Sequence, residues 1–258
     1  MGEIDGVLLD IDGVLEVSWE QVPGAAEAVA WLREEGIPFR LITNTTTHSR
    51  EELAAKLRGA GIVVRGEDVV TAVVMTAAYL RAHHPGERVF LLSDGDPRDD
   101  LPGVELVDEG ARVVVIGGAG DGFSYETLNR AFRMLMDGAA LIGMHRNLYW
   151  RTKDGFELDG GAFLAGLEEA AGVKGVVCGK PSPAFFHEAV AMLGTDPERT
   201  AMVGDDILND VLGAQGAGLT GILVRTGKFL PEDLARAPGA PDLVMGSIAE
   251  LPTALGRA

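Results

Sequence analysis

The chain has 258 residues, 47% of them hydrophobic and 24% charged, which suits a globular protein with one large domain or two modest ones. Its formal net charge of −17 at pH 7 argues against a nucleic-acid or anionic-membrane surface, because such surfaces need clustered lysine and arginine. A single cysteine allows no internal disulfide, and neither a signal-like segment nor an apolar run of membrane-span length is present, so we expect a cytoplasmic protein.

The first predicted strand, Val7–Leu9, is a short apolar run that ends in two carboxylates, Asp10 and Asp12. Gly13 breaks the strand directly afterwards. Alternate residues of a strand point the same way, so both carboxylates should share one side while Ile11 turns into the core. Like charges at one strand end repel each other unless a cation or a chemical task holds them there. A solvated acidic turn is the alternative interpretation.

Predicted helices and strands alternate along the chain, a pattern typical of an α/β fold with a parallel sheet. The predicted helices cover residues 23–35, 49–59, 72–83, 125–136, 161–171, 183–193 and 209–217. The later predicted strands cover residues 40–44, 69–71, 89–92, 113–116, 141–144, 200–204 and 220–224.

Three further apolar runs also end in small polar or charged residues. Because the carboxyl ends of parallel strands meet at one edge of a sheet, we expect these residues to converge with the first two carboxylates. Carboxylates, an ammonium, a hydroxyl and an amide together predict a site for a divalent cation and a phosphoryl group. The residues at these three ends are Thr43 and Asn44, then Lys180, and finally Asp205, Asp206, Asn209 and Asp210.

These four fragments resemble, in the same order, the motifs of the haloacid dehalogenase superfamily of aspartate-nucleophile phosphatases. The resemblance covers nearly the whole chain and implies a Rossmann-like, doubly wound parallel sheet core with an inserted α/β cap domain. The expected core is 1–78 and 178–258, and the expected cap is 79–177. Segments 43–46, 128–133 and 179–183 look most like the branch that contains phospholysine phosphohistidine inorganic pyrophosphate phosphatase.

The resemblance implies a Mg²⁺-dependent phosphatase that acts on a small phosphorylated substrate through an aspartyl-phosphate intermediate. Asp10 would attack phosphorus, and Asp12 would protonate the leaving group and later deprotonate the attacking water. The carboxylates of Asp10 and Asp205 and the main-chain carbonyl of Asp12 would hold Mg²⁺, which prefers oxygen ligands.

The other core residues receive supporting roles from the same resemblance. Thr43 and Asn44 would donate hydrogen bonds to the phosphate oxygens, or else simply cap the end of their strand. Lys180 would neutralise the phosphate and the nucleophile together. Asp206 and Asp210 would orient waters or hold Lys180, and capping of the following helix is the alternative.

The cap segment 145–150 follows a predicted strand and combines cations, an amide and aromatic rings. We expect His145, Arg146 and Tyr149 to bind the leaving group, with structural packing as the alternative. Other phosphatases of the subgroup with a large α/β cap tend to carry an Asn-Pro-Asp stretch here. This chain lacks that stretch, which favours the phosphohistidine-type branch over sugar-phosphate and phosphoglycolate enzymes.

Two other functions stay open on the sequence: a phosphomutase and a non-catalytic phosphoryl-binding protein. The cap offers no obvious anchor for a second phosphate, and a non-catalytic protein is expected to have lost Asp10 or Asp12. The substrate also stays open among phosphoamino acids, pyrophosphate, small phosphomonoesters and pyridoxal phosphate. Similar proteins often form dimers through the cap, so a homodimer is compatible with the resemblance.

Overall fold

The computed structural model of the protein describes residues 3–152 and 155–256, without the side chains of 150–152. Residues 1–2 and 257–258 of the predicted core and 153–154 of the predicted cap lie outside the described residues. The chain forms two compact units. The first unit comprises Met1–Thr43, Arg50–Val70 and Lys180–Ala258, and the second comprises Asn44–Ser49 and Thr71–Gly179.

Strands and helices alternate through both units, as the sequence predicts. The strands are β1 (Gly6–Asp10), β2 (Glu16–Val17), β3 (Glu20–Gln21), β4 (Phe39–Thr43), β5 (Val69–Thr71), β6 (Arg88–Leu92), β7 (Glu105–Leu106), β8 (Val113–Ile116), β9 (Ala140–Gly143), β10 (Tyr149–Thr152), β11 (Gly155–Leu158), β12 (Val176–Val177), β13 (Thr200–Gly204), β14 (Thr220–Val224) and β15 (Leu243–Met245). The helices are α1 (Ala25–Glu34), α2 (Arg50–Gly59), α3 (Ala72–His83), α4 (Tyr125–Met136), α5 (Gly160–Ala171), α6 (Pro183–Leu193), α7 (Gly213–Gly216), α8 (Pro231–Arg236) and α9 (Leu251–Ala254).

The sheet of the first unit has the strand order β15-β14-β13-β1-β4-β5, and β1 pairs in parallel with both β13 and β4. Val7 and Leu9 pack into the core cluster that contains the buried faces of α1 and α2. Helix α6 packs against β1 and β4. The chain order reverses between β1 and β13, and in open α/β sheets ligands bind beside such a reversal, at the carboxyl ends of the strands.

The sheet of the second unit has the order β12-β9-β8-β6-β7, and its neighbouring strands are parallel. Its core joins β8 to the apolar stripe of α4, with Ala131 and Leu135 buried against Val114 and Ile116. Leu164 of α5 belongs to the same cluster. The sheets of both units thus have the parallel α/β architecture that the sequence predicts.

The second unit starts earlier along the chain than the expected cap. It contains the whole of α3, which a boundary at 78/79 would divide. It also takes in the short segment Asn44–Ser49, because Thr46 Oγ1 accepts a 2.9 Å hydrogen bond from Gly118 N. Close packing of Gly95 against Thr47 adds to this, since a Cβ at Gly95 would lie 2.4 Å from the Thr47 carbonyl oxygen.

The predicted bounds of α3, α4, α6, β8 and β14 agree with the structure residue for residue. Two short hairpins, β2–β3 and β10–β11, were not predicted, because strands this short carry no alternating pattern. Part of the cap segment 145–150 therefore belongs to β10. A π-helical turn, Ile207–Leu212, and α7 replace the single helix predicted over 209–217. In the part of the chain that the structure describes, the helices are too short or too polar to span a bilayer.

Candidate active site

The end of β1 and the end of β13 bring carboxylates together where the chain order of the first sheet reverses. Asp10 is the last residue of β1, and Asp205 directly follows β13. Asp210 joins them from the π-helical turn that comes next. One carboxylate oxygen of each residue lies within 4.8 Å of the others, and all three residues are buried. This set of oxygens could hold a metal ion.

Lys180 lies inside the same group and is 4% exposed. Its Nζ is 2.7 Å from Asp10 Oδ1 and 2.7 Å from Asp210 Oδ1. Burial alone would lower the pKa of Lys180, but Asp10 and Asp210 raise it above its usual range. Burial and the charge of Asp210 hold the pKa of Asp10 well above its usual range, whereas Lys180 opposes that shift.

Asp205 presents one satisfied and one unsatisfied oxygen. Its Oδ2 accepts a 2.7 Å hydrogen bond from Lys228 N, but its buried Oδ1 has no hydrogen-bond partner. The Lys228 ammonium lies 4.0 Å from Oδ1, at the edge of ion-pair distance. Burial raises the pKa of Asp205 to about 6, although Lys228 opposes that change. A buried carboxylate oxygen without a partner is costly, which makes Asp205 a strong candidate ligand.

Two glycines let the loops approach Asp205 this closely. A Cβ at Gly13 would lie 2.0 Å from Asp205 Oδ2, and one at Gly227 would lie 2.1 Å from the same oxygen. Both glycines also have positive φ values, 87° and 62°, which other residues rarely adopt. Thr226 Oγ1 donates to the Gly13 carbonyl and ties the two loops together. Any larger residue at either position would displace the Asp205 carboxylate.

The two aspartates that were assigned supporting roles differ in their contacts. Asp206 accepts hydrogen bonds from Leu208 N and Asn209 N, both at 3.0 Å, and so caps the π-helical turn. Asp210 contacts Lys180 and also accepts a 3.2 Å hydrogen bond from Asp206 N. Asp210 therefore fixes the position of the Lys180 ammonium, whereas Asp206 caps the turn that contains Asp210.

Asp12 is exposed and lies two residues beyond the end of β1, so its carboxylate is outside the group of three buried oxygens. Its side chain is hydrogen-bonded to Glu16, which is 1% exposed. Burial and this hydrogen bond raise the pKa of Glu16 to about 7. Ile11, between the two aspartates, is buried, as predicted.

Thr43 and Asn44 follow the strand next to β1. Thr43 is the last residue of β4 and is 2% exposed, and the preceding Ile42 pairs with Asp10 in the sheet. Thr43 therefore ends its strand beside the carboxylate group. Asn44 is the first residue of the segment assigned to the second unit, where a Cβ at Gly179 would lie 2.6 Å from its Oδ1.

The three cap candidates have different surroundings within the second unit. His145 is 4% exposed, and its Nδ1 accepts a 3.3 Å hydrogen bond from Asn147 N. Burial lowers the pKa of His145, although the nearby charge of Asp159 opposes that shift. Arg146 makes a bidentate ion pair with Glu168, at 2.8 and 2.7 Å. Tyr149 is 62% exposed and contacts Phe156 edge-on. Of the three, Tyr149 presents the most accessible side chain.

Two residues beside the site were not among the predicted site residues, Glu16 and Lys228. Lys228 follows β14 by four residues, so the same search for polar groups after buried strands could have found it. Its Nζ lies 3.7 Å from Asp206 Oδ2 as well as near Asp205. Glu16 carries no such signal, because it is a single glutamate inside a two-residue strand.

Sequence comparisons identify relatives over nearly the whole chain. The family described as haloacid dehalogenase-like hydrolase matches residues 7–121, and the one described as HAD-hydrolase-like matches 177–251. Haloacid dehalogenase-like hydrolase domain-containing protein 2 of Bos taurus is 40% identical over 95% of this chain and 93% of its own length. Phospholysine phosphohistidine inorganic pyrophosphate phosphatase of Rattus norvegicus is 37% identical over 89% of this chain and 86% of its own length.

Solved structures give the same result. The 4-nitrophenylphosphatase of Thermotoga maritima has a TM-score of 0.91 and 32% identity, and the match covers 98% of each chain. The p-nitrophenyl phosphatase of Archaeoglobus fulgidus has a TM-score of 0.92 and 30% identity, over 98% of this chain and 100% of the other. The predicted resemblance is confirmed: this chain belongs to the haloacid dehalogenase-like hydrolase family.

Proposed function

We propose that this phosphatase hydrolyses small phosphorylated substrates with Mg²⁺, through an aspartyl-phosphate at Asp10. The buried group of Asp10, Asp205, Asp210 and Lys180 carries the proposal. In it, the candidate nucleophile Asp10 contacts the Lys180 ammonium and is also one of the three carboxylates that could hold a metal ion. Charge spreads over the phosphate oxygens in the transition state of phosphoryl transfer, so catalysis depends on positioned charges of this kind. The names of the phosphatase relatives support the same reaction class.

The carboxylates fit a hard divalent cation. Mg²⁺ takes oxygen ligands, keeps several waters and is commonly bound by one or two carboxylates together with substrate phosphate. The orphaned Oδ1 of Asp205 supports this assignment, because a cation would supply its missing partner. Asp10 and Asp205, with the main-chain carbonyl of Asp12, would hold the ion. Bound Mg²⁺ would neutralise the charges of the phosphate and the surrounding carboxylates.

Asp10 and Asp12 divide the covalent chemistry between them. A carboxylate oxygen of Asp10 bonds to phosphorus while the bond from phosphorus to the leaving oxygen breaks, and Asp12 gives that oxygen a proton. Water then attacks the aspartyl-phosphate and gives a proton to Asp12, which releases phosphate and restores Asp10. The exposed position of Asp12 suits a group that must reach both the leaving group and water.

Lys180, Thr43 and Asn44 would bind the phosphoryl group. The contacts of Lys180 with Asp10 and Asp210 hold its ammonium in a fixed place, so it needs no reorganisation as negative charge develops. The Thr43 hydroxyl and the Asn44 amide are donors for the non-bridging oxygens. Every phosphorylated substrate would make these contacts, because they involve only the phosphoryl group.

Discrimination between substrates would then depend on contacts with the leaving group. The name of the rat relative specifies phospholysine, phosphohistidine and inorganic pyrophosphate, and the Thermotoga relative is a 4-nitrophenylphosphatase. We propose the same classes as the first substrates to test here. His145, Arg146 and Tyr149 stay our candidates for specificity, with Tyr149 first because its ring is accessible.

The decisive experiment traps the phosphoenzyme. Wild-type protein and the Asp12→Asn variant are mixed with p-nitrophenyl phosphate and Mg²⁺, quenched in acid and analysed by peptide mass spectrometry. We expect one phosphoryl group on the peptide that contains Asp10, and more of it in Asp12→Asn, which lacks the base for hydrolysis. Asp10→Asn should carry none, and the control Asp5→Asn should resemble wild type. Turnover with no phosphoenzyme in either protein, or a label retained in Asp10→Asn, would contradict the proposal.

A further inference from the structure

One cation beside the proposed metal site has no task in the proposed reaction. Lys228 lies four residues after β14, and its side chain is 61% exposed. Two carboxylates face its ammonium, because Nζ lies 4.0 Å from Asp205 Oδ1 and 3.7 Å from Asp206 Oδ2. Lys228 thus brings a positive charge to the oxygen of Asp205 that has no hydrogen-bond partner among the described residues.

The main chain of Lys228 is fixed, whereas its side chain is free to move. Lys228 N donates a 2.7 Å hydrogen bond to Asp205 Oδ2. The preceding Gly227 has a φ of 62°, and Thr226 Oγ1 donates to the Gly13 carbonyl, so the turn before Lys228 is held in place. Exposed side chains change rotamer within nanoseconds. Lys228 is therefore a cation tethered to the site by its backbone.

The carboxylates that face this ammonium are held by partners of their own. Asp205 is 2% exposed and directly follows β13. Asp206 accepts hydrogen bonds from Leu208 N and Asn209 N, and its Oδ2 also accepts a 2.8 Å hydrogen bond from Asn209 Nδ2. If a second cation approaches these oxygens, the ammonium of Lys228 is the group that can move away.

A Mg²⁺ ion held by Asp205 would share this carboxylate with Lys228. Two cations beside one carboxylate repel each other, and each reduces the attraction that the other gains from it. The exposed ammonium of Lys228 can move into solvent at little cost. The Lys180 ammonium differs, because it is 4% exposed and contacts both Asp10 and Asp210. Only the first of these two cations is thus placed to be exchanged for an ion.

We infer that Lys228 is a tethered counter-ion of the Asp205 carboxylate, which competes with Mg²⁺ and so sets how tightly the proposed metal site binds the ion. This inference rests on the proposed metal site. The ammonium stabilises the carboxylates when no ion is bound, and it lowers the affinity of the site for the ion. Lys228 contacts neither the substrate nor the attacked phosphorus in this scheme.

The test removes the charge of Lys228 and leaves its backbone unchanged. Lys228→Met keeps a side chain of similar length without the ammonium, and Lys228→Arg keeps the charge. Both variants retain the main-chain N–H that donates to Asp205. Arg236→Met is the matched control, because it removes one positive charge from an exposed residue of α8 in the same unit.

Metal binding is measured without substrate, with Mn²⁺ as the probe. Mn²⁺ also prefers oxygen ligands, and the electron paramagnetic resonance signal of the free ion disappears when it binds. Lys228→Met should bind Mn²⁺ about three- to tenfold more tightly than wild type, and the difference should shrink at high salt. Lys228→Arg and Arg236→Met should bind as wild type does. Equal affinity of wild type and Lys228→Met, or the same gain in Arg236→Met, would overturn the inference.

Thermal unfolding gives a second measurement of the same exchange. In chelator, Lys228→Met should unfold at a lower temperature than wild type, because its carboxylates have lost a counter-ion. Saturating Mg²⁺ should remove or reverse this difference, since the ion binds the variant more tightly. A difference of the same size in chelator and in Mg²⁺ would give Lys228 a structural role only and would contradict the inference. Circular dichroism verifies that each variant is folded.

Asp205→Ala separates this inference from the proposed function. If Asp205→Ala binds Mn²⁺ more weakly while Lys228→Met binds as wild type does, the metal site stands and only the inference about Lys228 is rejected. If wild type binds no Mn²⁺, the proposed metal site fails and the inference fails with it. Unchanged Mn²⁺ binding with weaker binding of inorganic phosphate in Lys228→Met would make Lys228 a phosphate ligand, which also overturns the inference.

Discussion

Both units contain a parallel sheet, yet different side chains lie at the carboxyl ends of the strands: buried charged groups in the first unit and hydrogen-bonded polar groups in the second. In the first unit, that edge holds Asp10, Asp205 and Lys180, and one carboxylate oxygen has no partner. In the second unit, the strand order also reverses, between β6 and β8. There, however, polar side chains are hydrogen-bonded to backbone N–H groups. Gly118 N donates to Thr46, and Asp159 accepts from Ala119 N and Gly160 N.

This contrast shows that topology supplies a place for a site and side chains decide whether one forms. Both reversals are positions where α/β proteins bind ligands. At the second one, the side chains of Thr46 and Asp159 accept hydrogen bonds from backbone N–H groups. At the first, three buried carboxylates surround one buried ammonium, and a bound cation could balance the excess negative charge.

The largest expected effect comes from removing Asp10, the proposed nucleophile of the first unit. Asp10→Asn should lose at least about 10⁴-fold in kcat, because the amide is nearly isosteric but cannot attack phosphorus. The fold should survive, since Lys180 keeps its contact with Asp210. Steady-state hydrolysis of p-nitrophenyl phosphate measures the loss, and thermal unfolding serves as the control. Substantial turnover by folded Asp10→Asn would remove Asp10 from this role.

Metal removal tests whether the three buried carboxylates of Asp10, Asp205 and Asp210 are a cation site. Chelation should abolish turnover, and added Mg²⁺ should restore it. Asp205→Ala should raise the Mg²⁺ concentration needed for half-maximal activity by about tenfold or more, because it removes a proposed direct ligand. Asp233→Ala, an exposed aspartate of α8, is the matched control. Full activity in chelator would refute the metal site.

The buried ammonium should matter less than the nucleophile but far more than a surface lysine. Lys180→Met should lose about 10²- to 10³-fold in kcat/KM, the scale of a preorganised charge in a water-poor site. Lys174→Met offers a matched control, because the Lys174 side chain is 82% exposed. A loss of only a few-fold in Lys180→Met would make Lys180 peripheral to catalysis.

In the second unit, removing a charge from the Arg146–Glu168 ion pair should affect stability rather than turnover. Hydrogen bonds from Arg146 lower the pKa of Glu168 to about 2, below the usual 4.5. The Glu168 carboxyl group therefore binds a proton less tightly in the folded state than in the unfolded state. Its stabilising interaction with Arg146 is fully present above about pH 4.5 and is lost as the pH falls toward 2.

Glu168→Gln should reduce the free energy of unfolding by about 2 kcal/mol at pH 7. The difference from wild type should shrink at pH 3, because wild type loses part of the same interaction there. Urea unfolding at both pH values measures this, with the exposed neighbour variant Glu169→Gln as control. An equal difference at the two pH values would mean that the charge of Glu168 contributes nothing to stability.

The smallest expected effect concerns specificity. Tyr149→Ala should change kcat/KM by a few-fold and unequally across phosphohistidine, pyrophosphate and p-nitrophenyl phosphate, while the Mg²⁺ requirement stays unchanged. Tyr125→Ala is the control, because Tyr125 is another exposed tyrosine of the same unit, with an exposed fraction of 86%. A uniform change over all three substrates would give Tyr149 a structural role only.

The sequence alone determined the α/β class, the bounds of most helices and the family. These depend on local properties: apolar runs predict buried strands, and caps and glycines mark helix ends. Asp10, Thr43 and Asp205 could be found for the same reason, since a polar residue directly after a buried strand must lie at the sheet edge. The order of the motifs then predicted the chemistry.

Only the tertiary structure decided which side chains are partners. Arg146 is a candidate for substrate binding on the sequence, and the structure adds a partner, Glu168, which lies 22 residues further along the chain and accepts two hydrogen bonds from it. Glu16 gained its connection with Asp12 from a hairpin too short to show a pattern. The paired groups in these cases lie on different elements or across a tight turn, so their distance depends on packing. A strand end can be located from local sequence, whereas a contact between elements requires the folded chain.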